Sequence, residues 1–144
     1  MRPAGFRPPG GELTGATAGL LHELGFAYCS PAGEAAGSRG GIALLPFRWP
    51  LIDAFHYLPH FGDLRERFLG SDEPLPPSRL HADVGAALEA TVRDGGHLAL
   101  VFHPFLAEPE ERFEVIRALL GRVRALVDAG ALRCAPCRDI AASR

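Results

Sequence analysis

Hydrophobic and polar positions fall into two periods along the chain. Short apolar runs of four to six residues alternate with longer stretches whose apolar residues recur at helical spacing. The first amphipathic stretch predicts a helix from about Gly15 to Leu24, with Thr14 as its cap and Gly25 as its stop. "FAYC" (26–29) and "IALLPF" (42–47) read as strands, and "SPAGEAAGSRGG" (30–41) between them as a polar, glycine-rich loop. "RWPLIDAFHYLPHFGD" (48–63) is punctuated by proline and predicts a long loop with a helical turn or two, and "LRERFLG" continues as helix. After the loop "SDEPLPPS" (71–78), a helix is expected from about Arg79 to Arg93, ended by "DGG". "HLALVF" (97–102) is the clearest strand pattern of the chain. The longest helix is expected from about Pro109 to Asp128, with Phe113, Ile116, Leu119, Leu120, Val123 and Val127 on its apolar stripe. "ALRCA" predicts a last strand, and "PCRDIAAS" a short terminal helix with Pro136 near its start.

Repeated strand–helix units imply right-handed crossovers and a parallel sheet or barrel of about four strands. In such folds chemistry gathers where the strands end. The chain has 144 residues, 47% of them hydrophobic and 22% charged, which suits one globular domain with a sizeable core. The net charge of −2 and the lack of any basic run exclude a nucleic-acid or anionic-membrane partner. Every basic residue is arginine, which with 17 Gly and 13 Pro reads as genome composition. Residues 1–12 lack the apolar core of a signal peptide, and no run is long enough to span a bilayer. The expected location is cytoplasmic. Three cysteines argue against a disulfide framework.

The candidate chemistry centres on "LALVFHPFL" (98–106), where an apolar strand ends in His103 and Pro104 turns the chain out of the sheet. An imidazole there can act as acid or base near neutral pH, or can simply cap the strand. Asp53, just past the strand 42–47, is a candidate to orient His103 by accepting its second ring N–H. Trp49 can offer a face to a sugar ring or cover the mouth of the fold. "HYLPH" sets His56 and His60 four residues apart, a zinc-ligand spacing on a helix, although Pro59 between them breaks a continuing helix. "CAPC" (134–137) has the spacing of redox and metal sites, but no second pair completes it. Two small residues at a strand–helix junction is the plainer reading. Arg112, Arg117, Arg122 and Arg124 on the long helix read as a solvated face.

"GFRPPGGELTGATAGLLHELGFAY" followed by "LALVFHP" and a closing "LRCAPCRDIAAS" resembles the polysaccharide deacetylase family, the NodB-homology domain of carbohydrate-esterase type. The resemblance covers the chain from Gly5 onward and implies a partial (β/α) barrel. It implies a hydrolase that removes the acetyl group from an N-acetylated amino sugar by cleaving a non-peptide C–N bond, with a divalent metal, zinc first, as cofactor. By the resemblance His103 matches the general acid and Arg7 the arginine that pairs with a general-base carboxylate. Pro8 would hold that arginine extended, and Leu100 and its apolar neighbours match the wall of the acyl pocket. The family's Asp-Asp and His-x-x-x-His pairs are expected upstream of Arg7, where six residues leave them no room. Residues 1–144 are therefore expected to be the C-terminal portion of such a domain, without its metal-binding portion and inactive alone. A complementing chain or self-association is expected to complete it. Two alternatives stand beside this: a non-catalytic half-barrel that binds a partner or sugar, and an amidohydrolase acting on a small cyclic amide.

Overall fold

The computed structural model describes residues 2–143. The described residues divide into two compact units: residues 2–48, 96–99 and 134–143 form the first, and residues 49–95 and 100–133 the second.

The first unit is built on a four-stranded sheet in the order β1-β2-β4-β3, where β1 is Gly5–Phe6, β2 Tyr28–Cys29, β3 Gly37–Arg39 and β4 Ile42–Leu44. β1, β2 and β4 run parallel, and β3 pairs antiparallel with β4. The sheet does not close on itself. With α1 (Gly15–Glu23) against β4 and α6 (Cys137–Ala142) against β2, it has the arrangement of a partial (β/α) barrel. Thr14 caps α1 by accepting from the Thr17 N–H at 3.1 Å. Ala18 and Leu21 of α1 bury against Cys29 and Ile42, with Phe6, Leu13, Phe26 and Leu44 packed around them.

The antiparallel strand β3 lies inside the segment expected to be loop. Gly40 and Gly41, at φ of +57° and +79°, form a two-residue turn whose left-handed backbone suits the twist of a hairpin. The "GG" dipeptide after a polar run was the available signal. A second left-handed pair, Gly10 and Gly11, shapes the turn after Pro8. A Cβ on Gly11 would lie 2.6 Å from Ala32 Cβ and 2.9 Å from the Phe47 ring, so only glycine fits.

The second unit is helical. Its helices are α2 (Asp53–Tyr57), α3 (Gly62–Leu69), α4 (Pro77–Asp94) and α5 (Glu110–Asp128). Leu80, Val84, Ala87 and Leu88 of α4 are buried, as is Leu119 of α5. The rest of the expected α5 stripe is not fully covered, and Phe113 and Leu120 stay about half exposed. Two segments expected as strands are not part of the sheet. Among the described residues, 97–102 make one parallel bridge, Val101 to Ile52, and 131–135 pair with no strand. A strand needs a neighbour to satisfy its backbone groups, whereas a helix satisfies its own. Apolar runs therefore located these segments without guaranteeing them a ladder.

Candidate functional site

The parallel bridge between Ile52 and Val101 is what assembles the polar centre of the second unit. Val101 N–H donates to Leu51 O at 3.4 Å, and Asp53 N–H donates to Val101 O at 3.3 Å. Because the bridge is parallel, both chains leave it in the same direction, and they deliver Asp53 and His103 to one end. Pro104 cannot continue a ladder and starts a 3-10 turn, Pro104–Leu106, while Ile52 remains extended as the cap of α2.

Asp53 is fully buried, and its carboxylate accepts three hydrogen bonds. Oδ1 takes the Ala54 N–H at 2.7 Å and the His103 Nδ1–H at 2.6 Å, and Oδ2 takes the His103 backbone N–H at 2.5 Å. A buried charge is tolerable when donors surround it in this way. The carboxylate fixes both the backbone and the ring of His103. With Nδ1–H committed to Asp53, Nε2 is the atom left to exchange a proton, and 36% of the imidazole side chain remains exposed. The two bonds to Asp53 hold the imidazole in one orientation.

The other sequence candidates are distributed as follows. Trp49 opens a 3-10 turn, is half-buried, and packs its ring 5.5 Å from that of Phe61. Leu100 is half-buried next to the bridge. In the first unit, exposed Arg7 donates from Nη2 to Ser30 Oγ at 3.0 Å, and its guanidinium lies 5.0 Å from the centre of the Phe47 ring. Pro8 beside it is buried, with an extended backbone. Cys134 and Cys137 are exposed free thiols, and Cys29 is buried, where loss of solvent pushes its thiol pKa up.

His56 and His60 do not share a helical face. α2 ends at Tyr57, Leu58 is extended ahead of Pro59, and His60 lies exposed in the next 3-10 turn with its ring against Phe61. His56 is fully buried, with Nε2 2.9 Å from Pro50 O and 3.8 Å from Asp83 Oδ2. Burial holds its pKa below the ordinary 6.5, against the opposing pull of the Pro50 carbonyl and Asp83. Among the described residues no group of three or more His, Cys, Asp or Glu side chains could hold a metal ion. The residues present therefore do not fit the zinc that the family resemblance implies.

Two arrangements had no sequence signal. Arg65 of α3 is completely buried and donates to three carbonyls: Phe55 O at 2.6 Å, Leu58 O at 2.9 Å, and Asp72 O from both Nε and Nη2. It pins the end of α2 to the loop after α3. Arg112, expected on a solvated face, instead lies 4.3 Å from the centre of the Tyr57 ring. The Tyr57 hydroxyl is buried without a hydrogen-bond partner, and desolvation pushes its pKa up to about 12. Arg122 reaches across to Glu89 of α4, while Arg117 and Arg124 pair with Glu114 and Asp128 on the exposed face of α5.

No protein-family model and no curated protein matches the chain. A solved structure does: the crystal structure of a "putative polysaccharide deacetylase" from Mycobacterium smegmatis, at 28% identity and a TM-score of 0.76. The match covers 99% of this chain and 49% of that one, so this chain spans about half the length of the structure it resembles. No helix among the described residues is long and apolar enough to cross a membrane.

Proposed function

We propose that the chain is one half of a deacetylase-type hydrolase domain that cleaves the amide C–N bond of an N-acetylated amino sugar, and that His103 is its proton donor. The observation that carries the reading is the buried Asp53 carboxylate bound to both the backbone and the Nδ1–H of His103. Amide hydrolysis by water fails unless the departing nitrogen is protonated. Imidazolium Nε2 of His103 gives its proton to that nitrogen as the C–N bond breaks, while Asp53 stabilises the charged ring and holds its orientation. The oxygen of water ends in acetate and the free amine leaves. Activation of that water falls to groups outside these residues, as does any metal. Arg7, steadied by Ser30 and Phe47 and followed by Pro8, is assigned to hold a carboxylate, a task suited to its permanently charged planar fork. Leu100 is assigned to the wall that receives the acetyl methyl group. The near-complete coverage of this chain against half of the Mycobacterium smegmatis structure supports the half-domain reading.

A second reading, a non-catalytic module that binds sugar or a partner, draws on the lack of a metal-holding group among the described residues. The test is acetate release from an N-acetylglucosamine oligomer by this chain combined with the complementary half of the fold. His103→Asn is expected to slow it by about a hundredfold or more. Binding without acetate release in any combination overturns the enzymatic reading in favour of the module. Turnover of a small cyclic ureide in place of the oligomer would move the substrate class.

A further inference from the structure

The residue two beyond His103 is, among the described residues, the most exposed of the large hydrophobic side chains. Phe105 is 65% exposed, and its ring centre lies 5.5 Å from that of His103 at an interplanar angle of 61°. A lone exposed phenylalanine is ordinary. This one is held out by a fixed turn. Leu106 N–H donates to His103 O at 2.9 Å and Ala107 N–H to Pro104 O at 3.1 Å, closing the 3-10 turn Pro104–Leu106. Leu106 is buried and anchors the turn, and Arg112 Nη1 reaches the Leu106 carbonyl at 3.5 Å. With Leu106 committed inward and Pro104 fixing the exit from His103, Phe105 is presented outward beside the imidazole at little further cost in freedom. Trp49, the aromatic that the sequence offered for this task, is half-buried with its ring against Phe61.

We propose that Phe105 is a substrate-binding residue: an aromatic platform on which the apolar face of a sugar ring stacks, setting the bond to be cleaved against His103 Nε2. This rests on the carbohydrate reading given above and names the residue that makes the site selective for a pyranose ring over a bare acetamide. A sugar ring presents axial C–H groups on one face, and an aromatic face is their natural partner. The contact also withdraws an exposed apolar surface from water.

The test is an NMR titration of the isotope-labelled chain with an N-acetylglucosamine oligomer, following the His103 and Phe105 ring signals separately, with N-methylacetamide as the probe that lacks a ring. The oligomer is expected to shift both rings and to give contacts between its C–H protons and Phe105. Phe105→Leu, which keeps an apolar side chain but removes the aromatic face, is expected to weaken oligomer binding about three- to tenfold and leave N-methylacetamide binding unchanged. Phe105→Tyr is expected to restore binding of the oligomer. An oligomer that perturbs His103 but not Phe105, or that binds Phe105→Leu as well as the parent, overturns the platform and leaves the acid role of His103 standing. No response of either ring at saturating oligomer overturns the platform together with the carbohydrate reading.

Discussion

Replacing Arg65 by methionine removes a buried cation that holds three carbonyl oxygens while nearly keeping the volume of the side chain. Arg65 is fully buried, and its bonds to Phe55 O and Leu58 O hold the C-terminal end of α2, while Asp72 O takes two more. A buried polar group left without a partner costs about 1–3 kcal/mol. Three such oxygens set an upper range well above 3 kcal/mol. The half-exposed or exposed surroundings of Leu58 and Asp72 let water replace part of that loss. Removing the guanidinium also removes its own desolvation penalty. About 3 kcal/mol remains, a large share of the roughly 5–15 kcal/mol that stabilises a domain. In urea, with a slope near 2 kcal/mol/M, the midpoint is expected to fall by about 1.5 M. Because Asp53 opens the helix that Arg65 holds, the His103 ring signals should broaden well below that midpoint. A loss under about 1 kcal/mol would refute the claim that Arg65 clamps α2, and Arg65→Lys should lie between the two.

Gly11→Ala is expected to cost about 2–4 kcal/mol in thermal or urea unfolding, from left-handed strain plus the clash with Ala32 and Phe47. Burial depresses the pKa of His56 below its unfolded value of 6.5, so the unfolded chain binds the extra proton first. Stability is then complete above pH 6.5 and falls as the pH drops below it. A His56→Gln variant should flatten that acid limb in urea titrations repeated across pH, and an unchanged slope would sink the assignment. Asp53→Asn should lower amide hydrolysis about as far as loss of His103 does, with little change in KM, because an amide brings one acceptor oxygen and no charge to a site where both carboxylate oxygens accept from N–H donors.

The helices were legible because their signals are local. Thr14 and Gly25 bracket α1, and the observed spans of α4 and α5 fall within two residues of the sequence reading. The sheet was less so. β1 has only two residues, too few for any periodicity, and β3 is built from polar residues whose pairing depends on the Gly40–Gly41 turn. Residues 97–102 show the reverse case, a strong apolar run whose backbone meets one neighbour. At the site, Asp53 and His103 stood out as polar residues just past apolar runs, but the contact between them comes from the isolated Ile52–Val101 bridge and not from the strand 42–47 that the sequence pointed to. Arg65 and the Arg112–Tyr57 contact were not. An arginine among charged neighbours looks solvated until tertiary packing closes over it, and nothing in "LRERFLG" separates Arg65 from Arg67. Phe105 was hidden for the opposite reason, since an apolar residue between Pro104 and Leu106 reads as core.

The central claim is that His103, held by Asp53, protonates the departing nitrogen. It is tested most directly by how the defect of His103→Asn depends on the leaving group. An N-acetyl amine needs that proton, whereas 4-nitrophenyl acetate expels a stable phenolate without it. The prediction, for the chain combined with the complementary half that the proposed function requires, is a loss of about a hundredfold or more in kcat on the N-acetylglucosamine oligomer and under about threefold on the ester. Equal losses on both substrates, or an unchanged rate on the amide, would contradict it.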